Sequence, residues 1–143
     1  MKQTIGVTGA NGLLGSHLCQ YLLKKGYQVI RFQSTIDQNT RYFDLHHPIN
    51  PKDLKGIDAL VHCAYDFGGK NWKEIFDTNV LGSQALFNAA IAAGIKKLIF
   101  ISSVSAFPGC LSLYGRGKLQ VEQYLVQSNL VRRQLCFSGG SAS

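Results

Sequence analysis

The 143-residue sequence contains no run of 18 apolar residues and no block of five or six like charges. The first absence argues against a membrane-spanning helix, and the second against a basic stripe of the kind that binds nucleic acid. The formal net charge of +7 comes from scattered residues and from pairs such as Lys24-Lys25 and Lys96-Lys97. We therefore expect neither a membrane nor a nucleic acid as partner, although the positive charge favours a phosphate-bearing ligand.

The four cysteines stand far apart and form no C-x-x-C pair. Neither they nor the histidines follow the ligand spacing of a zinc site, so we expect no metal. Cys63 and Cys136 lie in apolar, strand-like runs, where a thiol behaves as a small hydrophobic side chain. Because the amino-terminal stretch also lacks the apolar segment of a signal peptide, we expect a protein of the reducing cytoplasm.

Length and composition fit a single globular domain over residues 1–143, with 45% hydrophobic and 16% charged residues. Strand-like and helix-like patterns alternate along the chain. Strands are predicted at QTIGVT, YQVIRF, RYFDL, IDALVHCA, KKLIFISS and LVRRQLCF, and helices over 11–25, 72–93 and 113–127. This alternation predicts an α/β fold with a doubly wound parallel sheet, in which ligands bind beyond the carboxyl ends of the strands.

The stretch TGANGLLG follows the first predicted strand and opens the first predicted helix. At such a turn, free N–H groups and the positive end of the helix dipole form an anion site. Gly9 would make the tight turn, Gly12 would let a pyrophosphate approach the backbone, and Gly15 would let the helix lie close to the sheet. Asn11 is predicted to be a cap or a turn residue. The pattern predicts dinucleotide binding.

Further motifs follow in a familiar order: FDL, VHCA, TNVLGS, FISS and YGRGK. Together with TGANGLLG they resemble the extended branch of the short-chain dehydrogenase/reductase superfamily, in particular the NAD-dependent epimerase/dehydratase family. The resemblance implies a Rossmann-type NAD(P)-binding domain, with Asp44 of FDL near the adenine. It assigns cofactor binding to Gly9, Asn11, Gly12, Leu13, Gly15, Ser34, Asp44, Leu45, Ala64 and Lys118.

The end of the second predicted strand bears on which dinucleotide is bound. An acidic residue there would hydrogen-bond the ribose 2′-OH and repel a 2′-phosphate, but the family's acidic position falls at Gln33. Ser34, Thr35 and Arg31 are candidates to receive a 2′-phosphate. Because side chains alternate along a strand, Arg31 can also face the other side. The pattern favours NADP over NAD.

Tyr114 and Lys118 are four residues apart and share one face of a predicted helix. The pKa of a free phenol is near ~10, and a neighbouring ammonium would lower it; together with the cation of a bound nicotinamide, it could bring the pKa toward neutrality. The resemblance makes Tyr114 the catalytic acid/base, with Lys118 lowering its pKa and holding the nicotinamide ribose. The alternative is a chance pair that only packs or faces solvent; the glycine turn and the FISS strand favour catalysis.

Two more catalytic assignments rest on the resemblance. Ser103 is the hydroxyl that would orient the substrate, because it is the second serine of FISS; Ser105, two residues on, is the alternative. Alignment backwards from Pro108 would instead place Val104 there. Asn79 matches an asparagine that holds a water for proton relay in some relatives; the alternative is a local helix kink satisfied by water.

The resemblance implies an oxidoreductase, or a nucleotide-sugar epimerase or dehydratase, that acts on a small molecule. Extended members carry a second, C-terminal substrate domain, which we expect to be absent from this chain. A naturally short relative, an altered product of a longer gene and a pocket completed by another subunit are the open alternatives. A non-catalytic dinucleotide-binding module, or an inactive fragment, is the second hypothesis. Relatives commonly dimerise through the helices that carry Asn79 and Tyr114, so a homodimer is compatible.

Overall fold

The structure is a computed structural model that describes residues 2–128 and the backbone of 132–138. Its strands form one parallel sheet in the order β3-β2-β1-β4-β5-β6. The strands are β1 (Thr4–Thr8), β2 (Gln28–Gln33), β3 (Thr40–Tyr42), β4 (Ala59–His62), β5 (Lys97–Ser103) and β6 (Arg132–Ser138). Between β3 and β4 the chain returns to the middle of the sheet, which is the doubly wound, Rossmann-type order that the sequence predicts.

Helices cover both faces of this sheet. One face packs against α1 (Leu13–Lys24), and the other against α3 (Leu81–Ala92) and α4 (Leu113–Gln127). A four-residue helix, α2 (Trp72–Ile75), and a π-helical segment (Phe76–Val80) lead into α3 without a break, and a 3₁₀ turn (Pro51–Leu54) follows β3. In the described part of the chain, no helix has both the length and the apolar character needed to span a bilayer.

The apolar strands supply two cores, one on each face of the sheet. Ile5, Val7 and Val61 pack against α1, whereas Leu98 and Phe100 of β5 pack against α3 and α4. Each large side chain buried in this way contributes roughly 1.5–3 kcal/mol. Because β5 places side chains in both cores, it reads as apolar nearly end to end, and its predicted burial on both faces is confirmed.

Several predicted boundaries differ from the structure. The third strand stops at Tyr42, because this edge strand pairs with β2 over three residues only; the chain then turns inward and buries Phe43 and Leu45. Cys63 lies one residue past β4, so the prediction that it sits inside a strand is wrong. The helix predicted over 72–93 contains the π-helical segment, and the last strand begins at Arg132, with 129–131 and 139–143 outside the described residues.

Candidate functional site

A cavity of about 780 Å³ lies beyond the carboxyl ends of β1, β2, β4 and β5. This volume is typical of a pocket for a small molecule or cofactor. Tyr114 lines it, and so do all the residues predicted to bind a cofactor: Gly9, Asn11, Gly12, Leu13, Gly15, Ser34, Asp44, Leu45, Ala64 and Lys118. The fold thus brings together residues that are up to 109 positions apart in the chain.

The glycine turn forms the floor of one end of the cavity. Gly9 has φ of +64°, and a β-carbon there would lie 2.9 Å from the backbone of Ala64. A β-carbon on Gly15 would lie 2.0 Å from the carbonyl oxygen of Gly9, so Gly15 lets the helix pack on the turn itself rather than on the sheet. The N-cap of α1 is Gly12, which makes Asn11 a turn residue and not the cap. Without a side-chain cap, the first N–H groups of α1 remain available to an anion.

A buried chain of hydrogen bonds fixes this turn to its neighbours. Thr8 Oγ1 lies 2.6 Å from His62 Nδ1 and accepts hydrogen bonds from the backbone N–H groups of Cys63 and Ala64. His62 Nε2 lies 2.7 Å from Ser83 Oγ at the start of α3. The chain therefore joins the glycine turn, the end of β4 and the helix that follows it.

His62 is neutral in this chain of hydrogen bonds. Complete burial, aided by the positive charge of Lys118, lowers the pKa of His62 to about 3. Since Thr8 Oγ1 already accepts two N–H groups, its own proton points to His62 Nδ1, and Nε2 of His62 carries the proton donated to Ser83. The arrangement gives a physical reason for threonine in TGANGLLG, histidine in VHCA and serine in TNVLGS.

At the opposite side of the glycine turn, polar groups of the loops after β2 and β3 face the cavity. The carboxylate of Asp44 accepts hydrogen bonds from the backbone N–H of His46 and from Tyr42 Oη, and the first of these is the main reason why its pKa is lowered. Gln33 is buried, and its Nε2 donates to the backbone oxygen of Thr35 at 2.7 Å. This end of the cavity therefore holds a carboxylate and amide groups in fixed positions.

Arg31 does not belong to this site. It lies two residues before the end of β2, beside the thiol of Cys19, and lines a separate groove. Of the two orientations considered for Arg31, the structure therefore has the one in which the side chain leaves the strand away from the cavity, and Arg31 is no longer a candidate to receive a 2′-phosphate. Of the other two candidates, Ser34 lines the cavity and Thr35 offers its backbone oxygen to Gln33.

Lys118 and Tyr114 lie at the other end of the cavity, on α4. Lys118 is 4% exposed; its Nζ donates to the backbone oxygen of Ile101 at 2.8 Å and lies 4.8 Å from the centre of the Phe100 ring. Burial lowers the pKa of Lys118 to about 8. Lys118 is thus a buried ammonium held by the end of β5.

The pKa of Tyr114 shifts in the direction opposite to the one predicted. Burial raises it, and the hydrogen bond with Ser103 opposes that rise. Lys118 Nζ lies 5.7 Å from the centre of the Tyr114 ring and is directed at Ile101. In this chain, therefore, Lys118 alone does not bring the phenol toward a neutral pKa.

The two serines near the end of β5 have different surroundings. Ser103 is buried, is hydrogen-bonded to Tyr114 and accepts the backbone N–H of Ser105 at 3.1 Å. Ser105 lies in a turn past the end of β5, so the argument that both share a strand face does not apply. Among the described residues, it is Ser103 that contacts the Tyr114 hydroxyl.

Asn79 is buried in the π-helical segment, behind the wall of the cavity. Its Oδ1 accepts from the backbone N–H of Asp66 at 2.8 Å, and its Nδ2 donates to the backbone oxygen of Asp66 at 2.9 Å. Both atoms of the amide group thus hold the loop after β4. The helix is distorted at Asn79, where it is π-helical, and the hydrogen bonds of the Asn79 amide group are made with the backbone of Asp66.

Sequence reasoning missed the loop after β4, which brings two aromatic rings to Tyr114. Phe67 stacks on Tyr114 at 5.8 Å with an interplanar angle of 14°, and Tyr65 meets it edge-on at 5.0 Å. Burial raises the pKa of Tyr65 to about 12. His46 Nε2 and Asp66 Oδ2, 2.7 Å apart, tie this loop to the loop after β3. The sequence signal was YDFGG at the end of a predicted strand, where ligand-binding loops are expected.

Metal ligands are not grouped at this site: within residues 2–128, no three His, Cys, Asp or Glu side chains are close enough together to hold an ion. The groups that the cavity does offer are backbone N–H groups, hydroxyls, side-chain amides, two carboxylates (Asp44 and Asp66), the imidazole of His46, one buried ammonium and aromatic rings. Such a set suits an extended ligand that carries phosphates and a planar ring.

Comparison with known proteins supplies relatives for the chain. The profile of the NAD dependent epimerase/dehydratase family matches residues 5–130. The sterol-4-alpha-carboxylate 3-dehydrogenase, decarboxylating, of Mus musculus is 34% identical over 69% of this chain, and the UDP-glucose 4-epimerase of Yersinia pestis is 28% identical over 90% of it. The chain covers 29% and 49% of the lengths of these two relatives.

Solved structures agree with this grouping. MoeE5 in complex with UDP-glucose and NAD superposes with a TM-score of 0.79 and 26% identity, over 92% of this chain and 52% of that one. UDP-glucuronic acid 4-epimerase from Bacillus cereus, in complex with NAD, superposes with a TM-score of 0.77 and 28% identity, over 95% of this chain and 57% of that one. The shared region is the Rossmann-type half of these longer proteins.

Proposed function

Because the chain belongs to the NAD dependent epimerase/dehydratase family, we propose that it binds a nicotinamide dinucleotide and serves a hydride-transfer reaction on a small-molecule substrate. The observation that carries the proposal is the cavity: its two ends are the glycine turn and the Tyr114–Lys118 pair. One end suits a pyrophosphate, and the other offers the proton-transferring and cationic groups that such a reaction uses.

The residues of the cavity fit a dinucleotide. Any side chain at Gly9 or Gly15 would collide with the backbone. The turn can therefore be this tight only with glycine at both positions, and its backbone faces the cavity without side chains from either position. Uncapped N–H groups at the start of α1 would receive the pyrophosphate, Asp44 would accept from the adenine end, and Lys118 would face the nicotinamide ribose. The bound dinucleotide would supply the hydride chemistry, which none of the twenty side chains can provide.

We assign the proton transfer to Tyr114. Its hydroxyl is held by Ser103, its ring lines the cavity, and Lys118 lies one helical turn away. Because burial raises the pKa of Tyr114, the phenol is protonated at neutral pH and is ready to donate a proton from Oη. Further positive charge near the ring would be needed for the reverse transfer, in which the phenolate accepts. Asn79 contributes by holding the loop that carries Tyr65 and Phe67.

The uncharged Gln33 and the adjacent Ser34 favour NADP, now without help from Arg31. The neighbours described above were solved with NAD. For the substrate we propose a nucleotide sugar or a related alcohol or ketone, since the relatives include nucleotide-sugar epimerases and a sterol dehydrogenase.

We also propose a cytoplasmic location, because the cysteines show no pairing pattern. A homodimer through α3 and α4 is proposed as well, because Leu81, Ile91 and Val126 are exposed on these helices.

Titration of the purified protein with NADH and, separately, NADPH tests the proposal through nicotinamide fluorescence. Saturable binding of either, competed by the oxidised form, is the expected result, and the ratio of the two affinities decides between the cofactors. Turnover of UDP-glucose or UDP-glucuronic acid would then establish catalysis. Binding without turnover of any sugar nucleotide or ketone would favour a binding module, and no binding of either dinucleotide would contradict the proposal.

A further inference from the structure

The end of β5 holds three successive turns of α4. The hydroxyl of Ser103 is bonded to Tyr114, and the carbonyl oxygen of Ile101 accepts from Lys118. Ser102, which lies between them in sequence, interacts with the carboxyl group of Glu122. Tyr114, Lys118 and Glu122 are spaced by four residues each, so they line one face of the helix.

Glu122 has unusual surroundings for an acidic residue. It is the single acidic residue of α4, it is only 8% exposed, and it stands one helical turn after a lysine that is 4% exposed. A buried carboxyl or ammonium group is costly unless it is paired or hydrogen-bonded. Each of these two groups therefore reduces the cost of burying the other.

We propose that Glu122 is a positioning residue, anchored on β5 by Ser102, that keeps the buried ammonium of Lys118 charged beside Tyr114. The proposal rests on the proposed function for its purpose, because a neutral Lys118 could neither attract the phenolate nor hold the ribose of a dinucleotide. Its physical content is independent of any ligand: the negative charge of Glu122 raises the affinity of Lys118 for its proton.

The groups that face Lys118 from other elements do not replace Glu122. Aromatic rings surround the ammonium, at 5.1 Å for Tyr65 and 4.8 Å for Phe100, and attract it without carrying a formal charge. Among the side chains that the structure describes, the titratable groups around Lys118 come from the end of β4, the loop after it and α4 itself: His62, Cys63, Tyr65, Tyr114 and Glu122. Histidine and tyrosine are neutral here at pH 7, because burial lowers the pKa of His62 to about 3 and raises those of Tyr65 and Tyr114.

Of the two remaining groups, Glu122 is the stronger acid. Both Cys63 and Glu122 raise the pKa of Lys118 against the larger, opposing effect of burial. The usual pKa of a thiol is near ~8.5, so a thiol is ordinarily protonated at pH 7, whereas a carboxyl group is ordinarily ionised. Burial raises the pKa of Glu122, while Ser102 and Lys118 lower it, so both neighbours favour its carboxylate form.

Lysine NMR on the full chain tests the proposal without any cofactor. The protein is labelled with ¹³C at lysine Cε, the Lys118 resonance is identified by its loss in Lys118→Arg, and its midpoint is followed from pH 6 to 11. Glu122→Gln should lower that midpoint by about one pH unit, as expected when an opposite charge one helical turn away is removed. Glu74→Gln, which removes an exposed acid from α2, should leave it unchanged.

Two further variants separate charge from packing. Glu122→Asp keeps the charge and should restore most of the shift, whereas Ser102→Ala frees the carboxyl group from its anchor and should lower the midpoint by a smaller amount. If Glu122 only packs, both Glu122→Gln and Glu122→Asp would reduce stability and leave the Lys118 midpoint within about 0.2 pH unit of wild type, a result that overturns the proposal. Should Glu122→Gln fail to fold, the Asp and Ser102→Ala variants decide the matter by the same measurement.

Dinucleotide binding gives the second readout. In the wild-type protein, NADH affinity should fall above about pH 8, where Lys118 loses its proton, and Glu122→Gln should move this fall to lower pH by the same amount as the NMR midpoint. A shifted NMR midpoint in a protein that binds neither NADH nor NADPH would support the role of Glu122 and contradict the proposed function. If NADH affinity falls at the same pH in wild type and in Glu122→Gln, the inference about Glu122 is overturned, while the proposed function is retained.

Discussion

At the glycine-turn end of the cavity, the groups that face a ligand are mostly backbone, whereas at the Tyr114 end they are side chains held by other side chains. The turn is shaped by Gly9, Gly12 and Gly15 and is fixed from behind by the hydrogen bonds of Thr8 and His62. No side chain of the turn needs a particular rotamer. The anion site therefore follows from the path of the chain.

The Tyr114 end depends instead on contacts between distant elements. Ser103 of β5 holds the hydroxyl of Tyr114, Ile101 holds the ammonium of Lys118, and Phe67 from another loop stacks on the phenol ring. The buried basic groups at the two ends also differ in protonation: His62 is neutral at pH 7, because its pKa is about 3, whereas Lys118 is charged up to about pH 8. Under the proposed function, the first end binds the dinucleotide and the second end carries the reaction, so we expect that the two can be altered separately.

The largest effect is expected from Tyr114→Phe, which removes the reacting hydroxyl and keeps the ring. Any turnover found with a nucleotide sugar or ketone should fall by roughly 100- to 10,000-fold, the usual contribution of a general acid or base. The affinity for NADH should change less than about threefold, because the ring still stacks on Phe67. Steady-state kinetics and fluorescence titration measure the two quantities; Tyr124→Phe, at an exposed hydroxyl bonded to Asn88, is the control. Full activity of Tyr114→Phe would mean that another group moves the proton.

Gly12→Val is expected to affect the other end. Gly12 has extended backbone at φ −76° and ψ 172°, which any residue can adopt, and a β-carbon there would lie 3.3 Å from the Gly9 oxygen, a tight contact that needs a shift of only a few tenths of an ångström. The branched group would occupy the space of the pyrophosphate, and NADH affinity should fall at least about 30-fold, as for roughly 2 kcal/mol of overpacking. Ser16→Val, one turn into α1, controls for a branched residue near the helix start. Undiminished affinity with an unchanged melting temperature would refute the role of the turn.

The comparison of the two ends also explains what could be predicted from the sequence. Strand order and the glycine turn depend on local patterns, on apolar runs and on residues without a β-carbon, and these are visible in one dimension. The helix predicted over 113–127 has the same bounds as α4, and Gly26 adopts φ of +91° just past the end of α1, the conformation typical of a glycine after a helix C-terminus.

What the sequence did not reveal depends on tertiary neighbours. The pKa of Tyr114 is raised rather than lowered because burial outweighs the hydrogen bond with Ser103, and because the ammonium of Lys118 is turned toward Ile101. The orientation of Arg31 stayed open in the sequence because only the contact with Cys19 of α1 shows which side of the strand it faces. Phe67 belongs to none of the motifs that the sequence shows. It contacts Tyr114 because the loop after β4 folds against α4. Residue roles that arise from two elements meeting require the fold.

The pH dependence of stability tests the neutral His62 behind the glycine turn. The pKa of His62 is about 3 in the folded chain and about 6.5 in the unfolded chain, so between these values the unfolded chain binds one more proton. The free energy of unfolding should therefore decrease as the pH falls, by about 2 kcal/mol from this group between pH 7 and 5. Urea unfolding of His62→Gln should give lower stability at pH 7 and a flatter pH dependence, while His17→Gln, at an exposed position, should follow wild type. Parallel curves for wild type and His62→Gln would mean that His62 takes up its proton in the folded chain at the same pH as in the unfolded chain, which would contradict the neutral His62.

The smallest effect concerns the choice between NADH and NADPH. It tests whether one side chain, Gln33, contributes to binding at the glycine-turn end of the cavity, where most groups are backbone. Gln33 lines the cavity at the end of β2, where a carboxylate would hydrogen-bond a ribose 2′-OH and repel a 2′-phosphate. Gln33→Asp should weaken NADPH binding about fivefold relative to NADH, since two unit charges about 4 Å apart repel by about 1 kcal/mol in water. Gln38→Asp adds the same charge on an exposed loop and should leave the ratio unchanged, which separates local repulsion from the overall field of the protein. If the NADPH-to-NADH ratio is the same in both variants, the 2′ position of the ribose does not lie near Gln33.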